Sequence, residues 1–298
     1  MVIGWSVPGT GAGMVNIRPW AEEDIDYVFK SISREQWGHS RDDVVRCWRW
    51  EPNGCFVAED EGERVGHVST IGYGMLGWIG LLVVNPKRRG EGIGTALVQA
   101  AVHHLHESGV ETIRLEAEES AVPLYKRVGF QEEFDSLRYK GRFHPKKRGP
   151  HGAETSVAHG LEEMNDVAAF DSAYFGSNRS DVLADLTQGR GQQCFVAGKR
   201  EIIGYAMKRR TQDGYWIGPW VCRNPDVAED LLDAAAGSID DPKAELRFGF
   251  PSLNVGMRKL MEERKMECGA KSVRMYLGNN AHGGRPDRVY GLAAPEIG

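Results

Sequence analysis

The chain has 298 residues, a formal net charge of -5 at pH 7 and an isoelectric point near 6.0. This acidic balance argues against a general polyanion-binding protein, so no nucleic-acid partner is expected. No run of about eighteen apolar residues occurs, so no membrane partner is expected either. The length suits one large or two ordinary domains. The five scattered cysteines lack metal-ligand spacing, which indicates reduced thiols in a cytoplasmic protein without a bound metal.

The first thirteen residues show no pattern of a structural element and are predicted to form a tail. Further along, residues 78–84 are a short apolar run rich in branched side chains, which predicts a buried strand. Residues 95–109 then place apolar side chains on one helical stripe and stop at Gly109, which predicts a helix. The stripe consists of Leu97, Ala100, Ala101 and Leu105.

A loop with three basic residues and three glycines, from Lys87 to Gly94, joins this strand to this helix. A helix start presents unpaired N–H groups and the positive end of the dipole, and glycine lets the backbone approach closely. The loop therefore predicts a phosphate site. The loop matches neither of two common phosphate-binding motifs. A P-loop needs Lys after its last glycine, and the dinucleotide motif Gly-x-Gly-x-x-Gly needs a third glycine, but Thr95 stands at both positions. The order that does fit is Arg/Gln-x-x-Gly-x-Gly, at residues 89–94.

A second signature lies downstream of the loop. Residues 111–117 are predicted to form the next strand, and residues 120–130 a short helix that ends at Gly129. This segment contains Leu124-Tyr125 followed by Gly129-Phe130. The two signatures together, in this order, resemble the GNAT superfamily of N-acetyltransferases. The resemblance reaches upstream, where residues 15–26 are similar to the opening strand and first helix, and residues 55–74 to the next two strands.

The resemblance implies an α/β fold in which a mixed, mostly antiparallel twisted sheet is flanked by helices. It also implies acetyl-CoA as co-substrate: the backbone of the loop would hold the pyrophosphate, and the splayed strand before it would bond the pantetheine amides and the acyl carbonyl. The cofactor-binding residues expected on this basis are Leu82, Val83, Val84, Arg89, Gly90, Glu91, Gly92, Ile93, Gly94, Thr95 and Tyr125.

The second half of the chain repeats the first. Residues 56–86 and 195–225 are equally long and share Phe-Val-Ala, a glycine about ten residues later, Trp-Ile-Gly and Asn-Pro, in the same order. Segments that begin at Leu124 and Leu260 also align without a gap. The repeat predicts two tandem GNAT-like domains. The predicted limits are 14–140 for the catalytic domain, 141–153 for a linker and 154–298 for the second domain.

The second copy lacks the residues on which CoA binding would depend. Residues 226–232 replace the glycine loop with a segment that has no glycine and three acids, which would repel a pyrophosphate. Met261 stands at the position of Tyr125 and cannot donate a proton. We therefore expect a degenerate second domain and one acetyl-CoA site per chain. Arg179 and Arg274, in this half, are predicted to form internal ion pairs, with contact to the acceptor as the alternative.

Acetyl transfer to an amine needs an acid for the departing thiolate and a route for the amine proton. The resemblance assigns the acid to Tyr125. The glutamate that serves as base in some GNAT enzymes, eleven residues before the glycine motif, is replaced here by Trp78. We predict Glu118, at the strand end, as the base, with His67 or a water chain as alternatives. The acids considered at this strand are Glu116, Glu118 and Glu119.

The expected function is therefore acetyl-CoA-dependent transfer of an acetyl group to an amine, by direct attack in a ternary complex. A small-molecule acceptor is expected, and the protein is expected to be a monomer or a weak homodimer. A CoA-binding sensor or regulatory module without turnover is the alternative. A longer acyl group is also compatible with the sequence.

Overall fold

The computed structural model describes residues 5–8, 14–142, 152–158, 160–211, 214–241 and 243–298. The chain divides into two compact units. The first contains residues up to 133 together with 274–281 and 297, and the second contains 134–273, 282–296 and 298. The sequence-based domain limits stay a prediction, and most of the predicted linker, residues 143–151, lies outside the described residues.

The sheet of the first unit is led by antiparallel strands. In chain order these are β1 (Trp5–Pro8), β2 (Met14–Pro19), β3 (Phe56–Asp60), β4 (Glu63–Tyr73), β5 (Leu76–Val84) and β6 (Thr112–Ala117). Each strand from β1 to β4 pairs antiparallel with the next, and β5 pairs parallel with β6. The predicted tail is wrong at β1. Pairing with β2, rather than a local pattern, holds those four residues in a strand.

Four helices flank this sheet: α1 (Ile25–Arg34), α2 (Arg41–Trp50), α3 (Ile93–Glu107) and α4 (Val122–Val128). The predicted strand before the glycine loop, the helix after it, the next strand and the short helix are all confirmed as β5, α3, β6 and α4. The four stripe residues of α3 are buried, as their spacing predicts. A core of apolar residues, including Val28 and Ile32 of α1 and Leu81 and Val83 of β5, holds α1 against the sheet.

The second unit has the same kind of sheet. Its strands are β7 (Gln131–Arg142), β8 (Thr155–Val157), β9 (Gln193–Ala197), β10 (Gly204–Thr211), β11 (Gly214–Cys222), β12 (Glu245–Pro251), β13 (Glu267–Gly278) and β14 (Val289–Gly291). Strands β8 to β11 pair antiparallel in sequence order, β12 pairs parallel with β11, and β7 pairs antiparallel with β12. The first three residues of β7 and the last five of β13 belong to the first unit.

The helices of the second unit are α5 (Gly160–Phe175), α6 (Ser180–Leu186), α7 (Pro225–Gly237) and α8 (Val255–Glu263). Helix α7 packs into the core of this unit through Val227, Leu231 and Leu232, which are buried. No helix among the described residues is both long enough and apolar enough to cross a membrane.

The internal repeat is visible in the backbone. The N–H of Phe130 donates to the carbonyl of Tyr125 at 3.0 Å, and the N–H of Met266 donates to that of Met261 at 2.9 Å. Gly129 has a φ of +111°, and its counterpart Lys265 keeps a left-handed φ of +54° although a side chain makes that conformation unfavourable. Both halves thus end the equivalent helix with the same turn. The predicted α/β architecture is confirmed: two units, each with a mixed, mostly antiparallel sheet flanked by helices.

Candidate active site

A distortion in β5 opens the sheet of the first unit. The register between β4 and β5 shifts between His67 and Ser69, opposite Leu81, whose φ is +47°. Parallel pairing with β6 ends at Ile79, which faces Leu115. Beyond that residue the two parallel strands are no longer paired, so one edge of the end of β5 lies open among the described residues.

The glycine loop follows this open edge. Gly92 is the residue before the first turn of α3, with φ of +84°, and no side chain in the described part of the chain caps the helix. Gly90 has φ of +88°. A Cβ on either glycine would meet no described atom within 4 Å beyond its chain neighbours, so the space beside them is open. A helix start with a glycine as its N-cap and open space beside that glycine has the chemistry of an anion site.

Gly94 serves packing instead. A Cβ on Gly94 would lie 3.0 Å from Cδ1 of Leu124, closer than most Cβ contacts, and at an ordinary 3.5 Å from Val84, so a side chain here would press on Leu124 of α4. The three glycines of the motif therefore have two physical roles, conformation in the loop and contact in the helix.

The positive charge of the loop is largely paired, which the sequence did not predict. Arg88 forms ion pairs of 2.8 Å with Asp60 and with Glu91. The guanidinium of Arg89 donates to the carbonyl of Val84 at 3.1 Å and to Glu35 at 2.9 Å. Attraction of an anion thus depends mainly on backbone amides and the helix dipole rather than on these side chains.

Tyr125 lies on α4 and is 6% exposed. Its ring meets the ring of Phe130 edge-on, with centroids 5.8 Å apart. Burial raises the pKa of Tyr125 above its ordinary value, and the negative charge of Glu118 raises it further. The phenol therefore keeps its proton at neutral pH and senses the charge on Glu118.

Two of the three acids considered at the end of β6 differ sharply in environment. Glu118 is exposed, and its Oε1 accepts a hydrogen bond of 3.0 Å from the indole N–H of Trp37. The side chain of Glu116 is fully enclosed and forms an ion pair of 2.6 Å with Arg274, whose guanidinium lies 4.6 Å from the ring centre of Trp78. Arg274 belongs to the first unit despite its position in the second half of the sequence.

The predicted internal ion pairing of Arg179 and Arg274 is thus present in the structure. Arg179 is buried in the second unit and bonds both carboxylate oxygens of Asp171, at 2.8 and 2.9 Å. The sequence does not predict the contact of Trp37 with Glu118 or that of Glu35 with Arg89, because the partners lie 81 and 54 positions apart and no local spacing encodes such contacts.

His67 lies on β4 with no exposed surface, and neither ring nitrogen has a hydrogen-bond partner among the described residues. The rings of Trp20 and Tyr27 meet it edge-on, each with a centroid distance of 5.9 Å. Burial lowers the pKa of His67 to about 3, so its imidazole is uncharged at neutral pH.

The corresponding helix start in the second unit is closed to an anion. Asn224 caps α7: its side-chain oxygen accepts from the N–H of Val227 at 3.0 Å, and Asp226 adds negative charge in the first turn. Met261, at the position of Tyr125, is fully buried. In the described parts of both units, no cluster of three or more His, Cys, Asp or Glu residues is arranged to hold a metal ion.

Comparison with known proteins agrees with this geometry. Residues 18–130 match the Acetyltransferase (GNAT) family, and residues 167–291 match the Acetyltransferase (GNAT) domain. A structure from Pyrococcus horikoshii, assigned as an acetyltransferase, has a TM-score of 0.81 and 26% identity, and covers 95% of this chain and 96% of its own. Holothin acyltransferase from Pseudoalteromonas sp. is 25% identical over 283 residues, 94% of each chain.

The tandem arrangement has a precedent as well. A tandem GNAT protein from the clavulanic acid biosynthesis pathway shares the fold, with a TM-score of 0.64 and 15% identity over 89% of this chain and 98% of its own. The chain belongs to the GNAT superfamily, with one GNAT domain matched in each half. It is an acyltransferase.

Proposed function

We propose that the protein is an acetyl-CoA-dependent N-acetyltransferase that uses the first unit as its catalytic unit and acts on the amine of a small molecule. The observation that supports the proposal most directly is the start of α3, where the N-cap is Gly92, which has no capping side chain, and where the Cβ positions of Gly90 and Gly92 border open space. A pyrophosphate fits such a start because it accepts hydrogen bonds from several N–H groups and carries the charge that the dipole favours.

The residues assigned to the site follow the chain from β5 into α3. The open edge of β5 offers backbone N–H and C=O groups to an extended chain that carries amides, such as pantetheine. When bound, acetyl-CoA supplies the acetyl group as a thioester. The residues proposed to hold it are Leu82, Val83, Val84, Arg89, Gly90, Glu91, Gly92, Ile93, Gly94, Thr95 and Tyr125.

Tyr125 and Glu118 are proposed as acid and base of a direct attack in a ternary complex. Glu118 is exposed and held by Trp37, so its carboxylate is placed to accept the proton that an ammonium acceptor must lose. Its negative charge raises the pKa of Tyr125. Neutralising Glu118 by the proton of the acceptor would remove that charge and ease the release of the Tyr125 proton.

Replacement of Glu118 separates the candidate bases. Glu118→Gln keeps an oxygen that can accept from Trp37 but cannot take up a proton, so kcat should fall on the order of 10²-fold. His67→Leu should leave kcat within a few-fold, because an enclosed, unpartnered imidazole does not reach an acceptor. Measured rates across pH would decide. A large loss in the His67 variant with little loss in the Glu118 variant would identify His67 as the base.

The acceptor in this proposal is a small-molecule amine. The relative that spans 94% of this chain is named for one compound, holothin, which supports a small-molecule acceptor here. Release of free CoA thiol across a panel of small amines, with acetyl-CoA and longer acyl-CoA compared, tests the activity. Exposed Cys268 must first be titrated, since it also reacts with thiol reagents. Tight CoA binding without thiol release for any amine would identify a sensor instead.

A further inference from the structure

The two parallel strands of the second unit separate in the same way as those of the first. Strand β11 pairs with β12 from Gly214, opposite Glu245, to Trp216, opposite Arg247, where the parallel pairing ends. In the first unit the parallel pairing ends at Ile79, the residue after the Trp of the shared Trp-Ile-Gly sequence. Each half thus contains a cleft between two diverging parallel strands.

The cleft of the second unit is occupied by another part of the same unit. Strand β14 pairs antiparallel with the diverging part of β11, where Gly291 faces Trp220 and Val289 faces Val221. The next residue, Leu292, donates its N–H to the carbonyl of Gly249 on β12 at 2.6 Å. Residues 289–292 therefore bond to both walls of the cleft, and we call them the inserted segment.

Side chains fix the inserted segment at both ends. The amide of Asn254, the residue before α8, donates to the carbonyl of Val289 at 3.0 Å. The indole N–H of Trp216 donates to the carbonyl of Leu292 at 2.8 Å. Tyr290 is 1% exposed and packs on Trp220 with ring centres 5.5 Å apart. The carbonyls of Val289 and Leu292, at the two ends of the segment, thus accept hydrogen bonds from side chains around the cleft.

The fit is tight at Gly291. A Cβ there would lie 2.6 Å from the carbonyl oxygen of Ile217, closer than real Cβ atoms approach, and 3.1 Å from Cβ of Trp220. In the first unit the described residues include no strand in the equivalent place beside β5. The second unit therefore differs from the first in two ways: it lacks the glycine loop, and its cleft is occupied by a segment of the chain.

We propose that the second unit keeps the acyl-carrier cleft of a GNAT domain as a peptide groove, and that its occupant is the inserted segment of the same chain. An extended peptide can replace an amide-bearing ligand arm because both offer alternating N–H and C=O groups to the separated strands. On this account the second unit cannot take up CoA even where a glycine loop is restored, since the cleft is already filled.

Hydrogen exchange of the intact protein tests the occupancy without any substitution. The amides of residues 289–292 should exchange at least about 10³-fold more slowly than those of the exposed residues 188–191, as expected for hydrogen bonds that open only with the unit. Added CoA should leave the protection of β11 unchanged. Fast exchange of the inserted segment, or protection of β11 that grows with CoA, would overturn the proposal.

A substitution tests whether the cleft recognises a peptide. Gly291→Val should expel the inserted segment, so β11 and residues 289–292 exchange faster while β4 and β5 keep their protection. A synthetic peptide with the sequence of residues 289–294 should then restore the protection of β11, and the same peptide with the valine substitution should not. If the variant binds neither peptide, or binds both equally, the cleft does not recognise the sequence of the inserted segment and the proposal of a peptide groove is wrong. The exchange data on the wild-type chain remain decisive if the variant does not fold.

Discussion

Glu116 lies on β6 and Glu118 directly follows the strand, but their side chains make different contacts. Removing the charge of Glu116 would leave Arg274 in an enclosed site, and breaking a buried ion pair costs about 3–5 kcal/mol. Glu118 is exposed and bonds only to a neutral indole in the contacts described above, so a change of its charge costs far less. These contacts favour Glu118 over Glu116 as the base proposed to take a proton from the acceptor.

Tyr125→Phe removes one hydroxyl and keeps the ring that packs against Phe130. If Tyr125 protonates the leaving thiolate, kcat and kcat/KM should both fall on the order of 10²-fold, because the lost interaction acts in the transition state. The affinity for CoA should change little, since the backbone amides of the glycine loop are the groups proposed to hold the pyrophosphate. Steady-state kinetics and titration calorimetry measure the two effects.

Met261→Leu is the matched control, because Met261 is the buried counterpart of Tyr125 in the second unit. It should leave kcat unchanged, apart from small packing losses in stability. If Tyr125→Phe keeps near wild-type turnover but binds CoA more weakly, Tyr125 only packs beside the cofactor. The leaving thiolate would then take its proton from water.

His67 should make the protein sensitive to acid. Its pKa is lowered to about 3 in the fold and is near 6.5 in the unfolded chain, so below pH 6.5 the unfolded state binds a proton that the folded state does not. The stability is complete above pH 6.5 and is lost as the pH falls toward 3. Between pH 6.5 and 5 the wild type should lose roughly 1.5 to 2 kcal/mol more unfolding free energy than His67→Leu.

Urea unfolding at the two pH values measures this difference. Equal pH dependence in the wild type and the His67 variant would mean that the imidazole is not held uncharged in the fold.

At the scale of elements, the glycine loop is tested by a pair of substitutions with the same backbone strain. Gly92 and Gly109 both have φ of +84°, and a Cβ on either meets no described atom within 4 Å. Gly92→Leu and Gly109→Leu should each lose about 1–2 kcal/mol of stability from the left-handed conformation. Only Gly92→Leu should weaken CoA binding, by about tenfold or more, because its side chain stands before the amides of α3. Equal dissociation constants for CoA in the two variants would mean that the glycine loop is not part of the CoA site.

The elements around the loop could be predicted because each has a local signal. The apolar run of β5, the stripe of α3 and the turn at Gly129 all depend on residues close in sequence. Strand β1 and the inserted segment have no such signal, since pairing with distant residues holds them in place. The ion pair of Arg89 with Glu35 is equally long-range, which is why the loop was expected to carry more free positive charge than it does.

At the scale of the whole molecule, the chain joins two GNAT units that share a fold and differ in their sites. The first has an uncapped helix start, an open strand edge and Tyr125. The second has a capped helix start, a cleft filled by the inserted segment and Met261. The two units share one pattern of strands, so the sequence repeat predicted the fold of the second unit and the loss of its loop, but not what fills its cleft.

Titration calorimetry of the full chain with acetyl-CoA is the most direct test of the central claim, that the first unit alone binds the co-substrate. The account predicts one site per chain, lost or strongly weakened in Gly92→Leu and kept in Gly109→Leu. Two equivalent sites per chain, or a single site that Gly92→Leu leaves unchanged, would contradict it.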